Sequence, residues 1–407
     1  MAITNKEQGV WGLDQVYNKI NQGSIWEYSG EKQLWTAGYN GYGILGDNNT
    51  VTRSSPVQVP GTWDGAFSVG SQIAMATKSD GTLWVWGRNT SGELGMNEGT
   101  NSHKSSPVQI PGTTWPITGD YKMSNGGSMS SAIKTDGTLW TWGGNYRGGL
   151  GINVGGGDSA SDRSSPVQVP GTTWSRVSTG TFSQCAIKTD GTMWSWGSNV
   201  YGQLGLNQTS GAFPDYDVGQ MYSSPVQIPG TTWSKIPQTV KSSRWAIKTD
   251  GTLWAWGANT WGQLGLNERG GYPGFSGVHS SPTQIPGTTW DELYTGRGGT
   301  EIYVTKTDGT LWAWGRNNEG QLGQNNTTLY SSPVQIPGTW SEVSTGGNGV
   351  IASKTDGTYW SWGGSYYGHL GNNTRGPTAA ISSPTQVPGD YLNILVGANS
   401  TLFQRNA

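Results

Sequence analysis

The sequence predicts an all-β fold, a seven-bladed β-propeller of four-stranded antiparallel blades. Three observations predict it: an aromatic strand that recurs seven times, a Leu-Gly pair at constant distance behind each copy, and Asp-Gly turns between strand-like runs. The copies read Leu34-Trp35-Thr36-Ala37-Gly38, Leu83-Trp84-Val85-Trp86-Gly87, Leu139-Trp140-Thr141-Trp142-Gly143 and Met193-Trp194-Ser195-Trp196-Gly197. They continue as Leu253-Trp254-Ala255-Trp256-Gly257, Leu311-Trp312-Ala313-Trp314-Gly315 and Tyr359-Trp360-Ser361-Trp362-Gly363. The first Trp always precedes the Leu of Leu-Gly by ten positions, whereas the copies lie 48 to 60 residues apart. A fixed interior with an elastic remainder marks a repeat array.

Each unit resolves into four strands, A to D. Strand A follows Pro-Gly-Thr-Thr-Trp, with a Trp at 63, 115, 174, 233, 290 and 340 and Tyr391 in that place at the end. Strand B runs into an Asp-Gly pair, with Asp at 80, 136, 190, 250, 308 and 356. Asp-Gly between strand-like runs signals a type I′ hairpin, because both central residues need positive φ. Strand C is the tryptophan strand, whose aromatic and β-branched content suits a pleated surface. Strand D is Ser-Ser-Pro-Val-Gln-Ile-Pro, with its first proline at 56, 107, 166, 225, 282, 333 and 384. No segment inside the repeat has helical periodicity of useful length. Four antiparallel strands repeated radially make a propeller. The C strand at Leu34 lacks A and B partners upstream, and Tyr391–Val396 and Thr401–Phe403 supply them, so one blade is expected from both ends. That arrangement removes exposed sheet edges.

Composition narrows the function classes. Gly is 66 of 407 residues, about twice the usual share of roughly 7%, and without a collagen period these glycines belong to turns. Charged residues make up 12% and the formal net charge is −2, which argues against electrostatic binding of nucleic acid or an anionic membrane. Cys185 stands alone, and His103, His279 and His369 fall at unrelated repeat positions, so no metal centre or cofactor is expected. Residues 1–19 lack the apolar core of a signal peptide, and no apolar run is long enough to span a bilayer.

The decapeptide Trp196-Gly197-Ser198-Asn199-Val200-Tyr201-Gly202-Gln203-Leu204-Gly205, repeated at Trp256–Gly265 and with small changes elsewhere, resembles the regulator-of-chromosome-condensation repeat family. The resemblance runs from about Trp26 to Phe403. It implies a seven-bladed propeller and leaves function open, since the family includes guanine-nucleotide exchange on a small GTPase, β-lactamase inhibition and interaction modules. The family often carries a His in strand B; here Met75, Ser131, Gln184 and Arg244 stand in that region, which weakens an exchange reading. Residues 1–25 form an extension with a short helix ahead of the propeller at 26–407. Its Gly9-Val10-Trp11-Gly12-Leu13 stretch, with Gly23-Ser24-Ile25-Trp26 beyond it, resembles a segment of tailed-bacteriophage virion proteins. An N-terminal strand and helix packed on the propeller is the other reading of the same residues.

Strand parity puts the A–B and C–D loops on one face and the Asp-Gly and Pro-Gly turns on the other. The second face hardly varies. On the first, the distance from the Leu of Leu-Gly to the first Pro of strand D is 11, 13, 16, 21, 18, 11 and 14 residues around the ring. Variable loops on a rigid scaffold are where recognition concentrates. Three positions before Leu-Gly stand Tyr42, Ser91, Arg147, Tyr201, Trp261, Glu319 and Tyr367, with Tyr146 and Tyr366 beside them. The A–B loops add Phe182, Arg244 and Arg297, and Trp245 as a core residue. Tyr, Trp and Arg are enriched among interface anchors, and the same aromatics would stack on sugar rings; packing against the next blade is the alternative use of these positions. Nineteen of the 23 tryptophans occupy repeated positions and are expected to pack between blades, while the six lysines before Asp-Gly are expected to be solvated.

No catalytic constellation stands out. Asp215, Asp217, Glu268, Asp291, Glu292 and Glu301 are scattered over different blades, and Gly155-Gly156-Gly157 precedes no helix. The expected role is a non-enzymatic binding scaffold, a virion-associated protein of a phage whose loop face contacts a neighbouring virion protein or a host glycan, with no nucleic-acid partner and no membrane insertion. The competing role is a cytoplasmic regulator with exchange-factor-like activity, using the loop Asn207–Tyr222 with Asp215 and Asp217. A secreted bacterial inhibitor or lectin is a third.

Overall fold

The computed structural model describes residues 32–406, apart from 71, 100, 118–120, 156–160, 209–220, 238–240, 271–276, 297–298, 347, 367–369, 371–375, 377–379, 389–392 and 397–399. The expected extension at 1–25, with its short helix, lies outside the described residues, as does Tyr391. The chain is an all-β propeller of four-stranded antiparallel blades. Six blades are each drawn from one continuous stretch: Phe67–Ile110, Met123–Gln168, Trp174–Gln227, Trp233–Ile285, Trp290–Ile336 and Trp340–Val387, numbered here 1 to 6. A further four-stranded sheet joins the chain ends, in the order Arg53–Val59, Lys32–Gly38, Ser400–Asn406, Asn393–Val396. Lys32–Gly38 pairs antiparallel with Ser400–Asn406 along its full length, from Lys32 opposite Asn406 to Gly38 opposite Ser400. Strand Asn393–Val396 lies between the innermost strands of blades 6 and 1.

The recurring decapeptide is a device for joining blades. Its second Trp is fully buried in blades 1 to 6: Trp86, Trp142, Trp196, Trp256, Trp314 and Trp362 are each 0% exposed. Each indole Nε1 donates to a backbone carbonyl in the C–D turn of the preceding sheet, as from Trp196 to Gly149 O at 3.1 Å and from Trp256 to Gln203 O at 3.1 Å. The same bond joins Trp86 to Ile44 O at 2.7 Å and Trp362 to Gln321 O at 2.7 Å. The Gly of Leu-Gly makes this approach possible. A Cβ at Gly205 would stand 2.9 Å from Trp256 Nε1, and at Gly151 2.5 Å from Trp196 Nε1. The motif's Asn holds the turn shut from inside: Asn199 Oδ1 accepts from Leu204 N at 3.0 Å and its Nδ2 donates to Gln208 O at 2.9 Å.

Strand D contributes through a defect. In blade 3, Val226 pairs with Ser195 but Tyr222 pairs with Gly197, so the ladder slips over Ser223-Ser224-Pro225. Proline cannot donate to a ladder and belongs on outer strands. The slipped serine reaches the preceding blade, where Asn153 N donates to Ser223 O at 2.7 Å and Ser224 Oγ bonds Asn153 Oδ1 at 3.1 Å.

The other tryptophans divide into two layers. The six that follow Pro-Gly are buried, at 1–4% exposure. The first Trp of each C strand is half-buried, so the expectation of uniform packing between blades holds for only part of the set. The lysines depart from expectation too. Lys188 Nζ sits 4.8 Å from the Trp174 ring centroid and 4.5 Å from that of Trp194, and Lys78, Lys134, Lys248, Lys306 and Lys354 repeat the contact. Their aliphatic stems lie along apolar surface while the ammonium meets two π-faces. The Asp-Gly turn fixes the outer indole: Thr192 Oγ1 donates to Asp190 Oδ1 at 2.6 Å and accepts from Trp194 Nε1 at 3.0 Å.

Trp256→Ala is expected to destabilise the chain by about 3–5 kcal/mol, since it opens a cavity and strands the Gln203 carbonyl. Trp254→Ala, on the half-buried layer of the same strand, should cost less than half of that. Urea denaturation of the two variants measures the difference.

Candidate partner-binding face

Contacts between loops confirm how the faces divide. The Asp-Gly turn of one blade bonds the entry to the next blade's strand A, as Trp174 N donates to Gly137 O at 2.9 Å and Trp233 N to Gly191 O at 3.0 Å. These turns form the uniform face. On the opposite face the C–D turn of one blade meets the A–B loop of the next.

The clearest such meeting lies between blades 2 and 3. Tyr146 and Phe182 are 45% and 41% exposed, and their ring centroids lie 5.0 Å apart at 57°. The Arg147 guanidinium lies 5.4 Å from the Tyr146 centroid, and its Nη1 contacts Ser198 Oγ at 3.4 Å. A short 3₁₀ turn over Tyr146–Gly148, with Arg147 at φ 59, presents the tyrosine outward. Positive φ at a bulky non-glycine residue is uncommon and marks a constrained loop.

The other expected residues divide among different settings. Tyr366 is 55% exposed. Tyr42 is half-buried and meets His103 of blade 1 edge-on, with centroids 4.9 Å apart. Tyr201 is half-buried, its backbone N–H donating to Gln203 Oε1 at 2.7 Å. Trp261 is half-buried with the Arg316 guanidinium 5.7 Å from its ring. Tyr367, Arg297, His369, Asp215 and Asp217 lie outside the described residues.

Arg244 is a correction. It is 1% exposed and lies in the seam between blades 3 and 4, not on the face. Its strand position is opposite Trp256, so it shares the buried side of the sheet. Nη2 donates to Ser183 Oγ at 2.6 Å, and Nη1 to Lys241 O at 3.1 Å and Ser243 O at 3.2 Å. Burial lowers its pKa and raises that of the adjoining Cys185 thiol. Met75 and Ser131 lie one position further along strand B than Gln184 and Arg244, because they pair with Val85 and Thr141 while Gln184 and Arg244 face Trp196 and Trp256. Trp245 is core, as its sequence setting indicated.

Two charged groupings were not visible in the sequence. At the junction of blades 5 and 6, buried Glu301 accepts from Thr300 Oγ1 at 2.5 Å, and Glu319 Oε1 accepts from Asn348 Nδ2 at 2.7 Å. Burial pushes the Glu301 carboxyl up to about 7, with Glu319 adding to the rise and the Thr300 bond and Arg316 opposing it. Near the axis, Tyr121 of the loop entering blade 2 reaches blade 5, its hydroxyl 3.3 Å from Glu292 Oε2. Lys235 of blade 4 bridges to Asp291 at 2.5 Å and Glu292 at 2.9 Å, and Arg176 of blade 3 stacks over Tyr121 at 4.8 Å. The innermost strands of blades 3, 4 and 5 and the loop entering blade 2 are thereby tied together. Among the described residues no cluster of three or more His, Cys, Asp or Glu is placed to hold a metal ion, and no helix is long and apolar enough to cross a membrane.

With this architecture in view, the matching family model is that of the RCC1-like domain, over residues 33–403. The chain belongs to the RCC1-like domain family. Among curated relatives it is 29% identical over 265 residues to the mitochondrial RCC1 domain-containing protein RUG3 of Arabidopsis thaliana, covering 62% of this chain and 54% of that one. It is 25% identical over 325 residues to human E3 ubiquitin-protein ligase HERC2, covering 76% of this chain and 6% of the ligase. The chain therefore spans about half the length of the first relative and a small fraction of the second. Among solved structures, Prp20p of Saccharomyces cerevisiae, described with its binding to Gsp1p and histones, superposes with a TM-score of 0.74 at 17% identity, covering 92% of each chain. That likeness concerns the fold.

Glu301→Gln tests the buried carboxyl. Because the folded-state pKa is raised from the ordinary 4.5 to about 7, stability should be highest below 4.5, decline between 4.5 and 7, and level off above. The glutamine variant should lack this decline, gaining up to about 3 kcal/mol on the wild type at pH 8 relative to pH 4. Melting curves against pH measure it.

Proposed function

We propose that this RCC1-like chain is a non-enzymatic scaffold that binds a protein partner through its loop-bearing face, with Tyr146, Arg147 and Phe182 as the principal contact. One observation carries the reading. Two large aromatic side chains from neighbouring blades stand together, each more than two-fifths exposed, beside a guanidinium. Exposed aromatics paired with arginine are the composition of binding hot spots. They rest on a framework joined at each seam, so little ordering entropy opposes binding. Relatives in this fold bind proteins, Prp20p being described with Gsp1p and histones.

The virion setting rests on the Gly9–Trp26 motif alone, and the family match begins beyond it, at residue 33. Under this reading the extension docks the propeller to a particle. The exchange-factor reading would rely on Asp215 and Asp217, which lie outside the described residues, and a nucleotide-release assay separates it from the scaffold reading.

Tyr146→Ala with Phe182→Ala should weaken cross-linking to the bound partner at least tenfold, about 1.4 kcal/mol or more, and leave the melting temperature within about 2 °C. A large loss of melting temperature would instead assign both rings to packing. Deleting residues 1–25 should leave the propeller folded by circular dichroism and absent from purified particles; incorporation at the wild-type level would end the docking claim.

A further inference from the structure

The outer rim carries a second set of features that the loop face does not use. On blade 3, Trp174, Trp194, Lys188, Pro170 and Pro225 enclose a groove of about 380 Å³, with Asn153 of the preceding blade at its edge. That volume falls within the roughly 300–1,000 Å³ of ligand pockets. Two indoles meeting at 80° and two proline rings give it apolar walls. One ammonium lies between the indoles.

Three observations point to a binding role. First, none of the six clamped lysines takes part in an ion pair among the described residues, and the nearby Asp190 spends its Oδ1 on Thr192. The positive charge in each slot therefore contacts two π-faces directly and feels the turn aspartate only through space. Second, the buried Nε1 donors of Trp174, Trp233, Trp290 and Trp340 have no acceptor. An indole N–H usually finds a partner when buried. Third, the Pro-Gly turn, which has no side chain at its Gly, lies against these groups: a Cβ at Gly230 would stand 3.6 Å from Trp233 Nε1, and at Gly171 3.4 Å from Lys188 Nζ.

We propose that the rim slots form a multivalent site for an acidic polysaccharide, each slot taking one uronic-acid-type sugar. The carboxylate of the sugar would meet the lysine ammonium, its C–H face the outer indole and proline rings, and, on blades 3 to 6, a ring oxygen the unpartnered indole N–H. A simple anion such as phosphate would leave the apolar walls unused, and a neutral sugar would leave the ammonium unpaired. The tryptophan–lysine contact recurs on every one of blades 1 to 6, so a repeating polymer engages several slots at once, and linked binding multiplies weak contacts into strong ones. This site lies away from Tyr146 and Phe182 and does not depend on them.

The test is titration of the full chain with oligogalacturonate, an uncharged galactan oligomer and polyglutamate, followed by tryptophan fluorescence and calorimetry. Saturable binding of oligogalacturonate is expected, at least about tenfold tighter than either control. Replacing Lys78, Lys134, Lys188, Lys248, Lys306 and Lys354 together by Met should abolish it, while replacing all six by Arg should keep it within about threefold, since Arg retains both charge and cation–π contact. Lys188→Met alone should lower the number of sites without changing affinity at the rest, which guards against misfolding of the sixfold variant. Three results would overturn the proposal: no saturable binding of oligogalacturonate, equal binding of polyglutamate, or wild-type binding by a folded sixfold Met variant.

Discussion

Everything in this propeller depends on one contact made between successive sheets: a buried indole whose N–H enters the C–D turn of its predecessor. The contact needs three things of the sequence at once. A Trp must stand two residues past the first, a carbonyl must face it, and a glycine must let the backbone come within reach. A side chain at Gly205 would strike Trp256 directly, and the backbone there is already at φ +71. The ten-residue interval from Trp to Leu is therefore the length of chain needed to leave strand C, make the Asn-stapled turn and present the glycine to the next blade. Any insertion within it would move the glycine off the indole, so length variation is confined to the segment after Leu-Gly.

The contact is missing in one place. In the sheet that joins the chain ends, Ala37 occupies the position of the second Trp and is packed with Ile351, Leu370, Val387 and Val396. Aliphatic burial takes over there, together with the bond from Val396 N to Ser344 Oγ at 2.6 Å. The seam between blade 6 and the end-joining sheet is thus built differently from those that follow it. The Tyr121–Glu292 contact ties blades 2 and 5, which share no seam, while Lys235 adds ion pairs to Asp291 and Glu292 between the adjacent blades 4 and 5.

Much of this was legible in the sequence because repetition reports burial: atoms that must be covered in every blade reappear in every blade. Strand order and the division into two faces followed from counting, but the Asp-Gly turns are not type I′: only the Gly takes positive φ, as at Gly81 (φ 78) and Gly191 (φ 77), and Gly191 N closes the turn by donating to Lys188 O at 3.0 Å. What escaped was the direction in which particular side chains point. Arg244 breaks the consensus and so looked exposed, yet its position opposite Trp256 commits it to the seam. The period of two along a strand could have revealed that, had the register been known. The lysines before Asp-Gly read as solvated because each lies next to a turn, and only the pairing of strands A, B and C brings the flanking indoles, such as Trp174 and Trp194, onto one side of Lys188. Tyr42 and Trp261 turned out half-buried against His103 and Arg316, partners that only the folding of adjacent blades brings near.

The division between framework and recognition consequently does not follow the division between repeated and variable residues. On the loop face, difference between copies does mark the exposed pair Tyr146 and Phe182, of which Tyr366 repeats the tyrosine. On the rim the opposite holds. There the outer indole is repeated for the scaffold's sake, through its bond to the Asp-Gly-Thr turn, yet that bond fixes only one edge and leaves the ring half-exposed beside an ammonium that makes no direct ion pair among the described residues. A scaffold that must bury one tryptophan layer can, from the same strand, hold a second layer open. Repetition then multiplies any affinity such a slot possesses, and a residue's recurrence is no reason to discount it as a binding group.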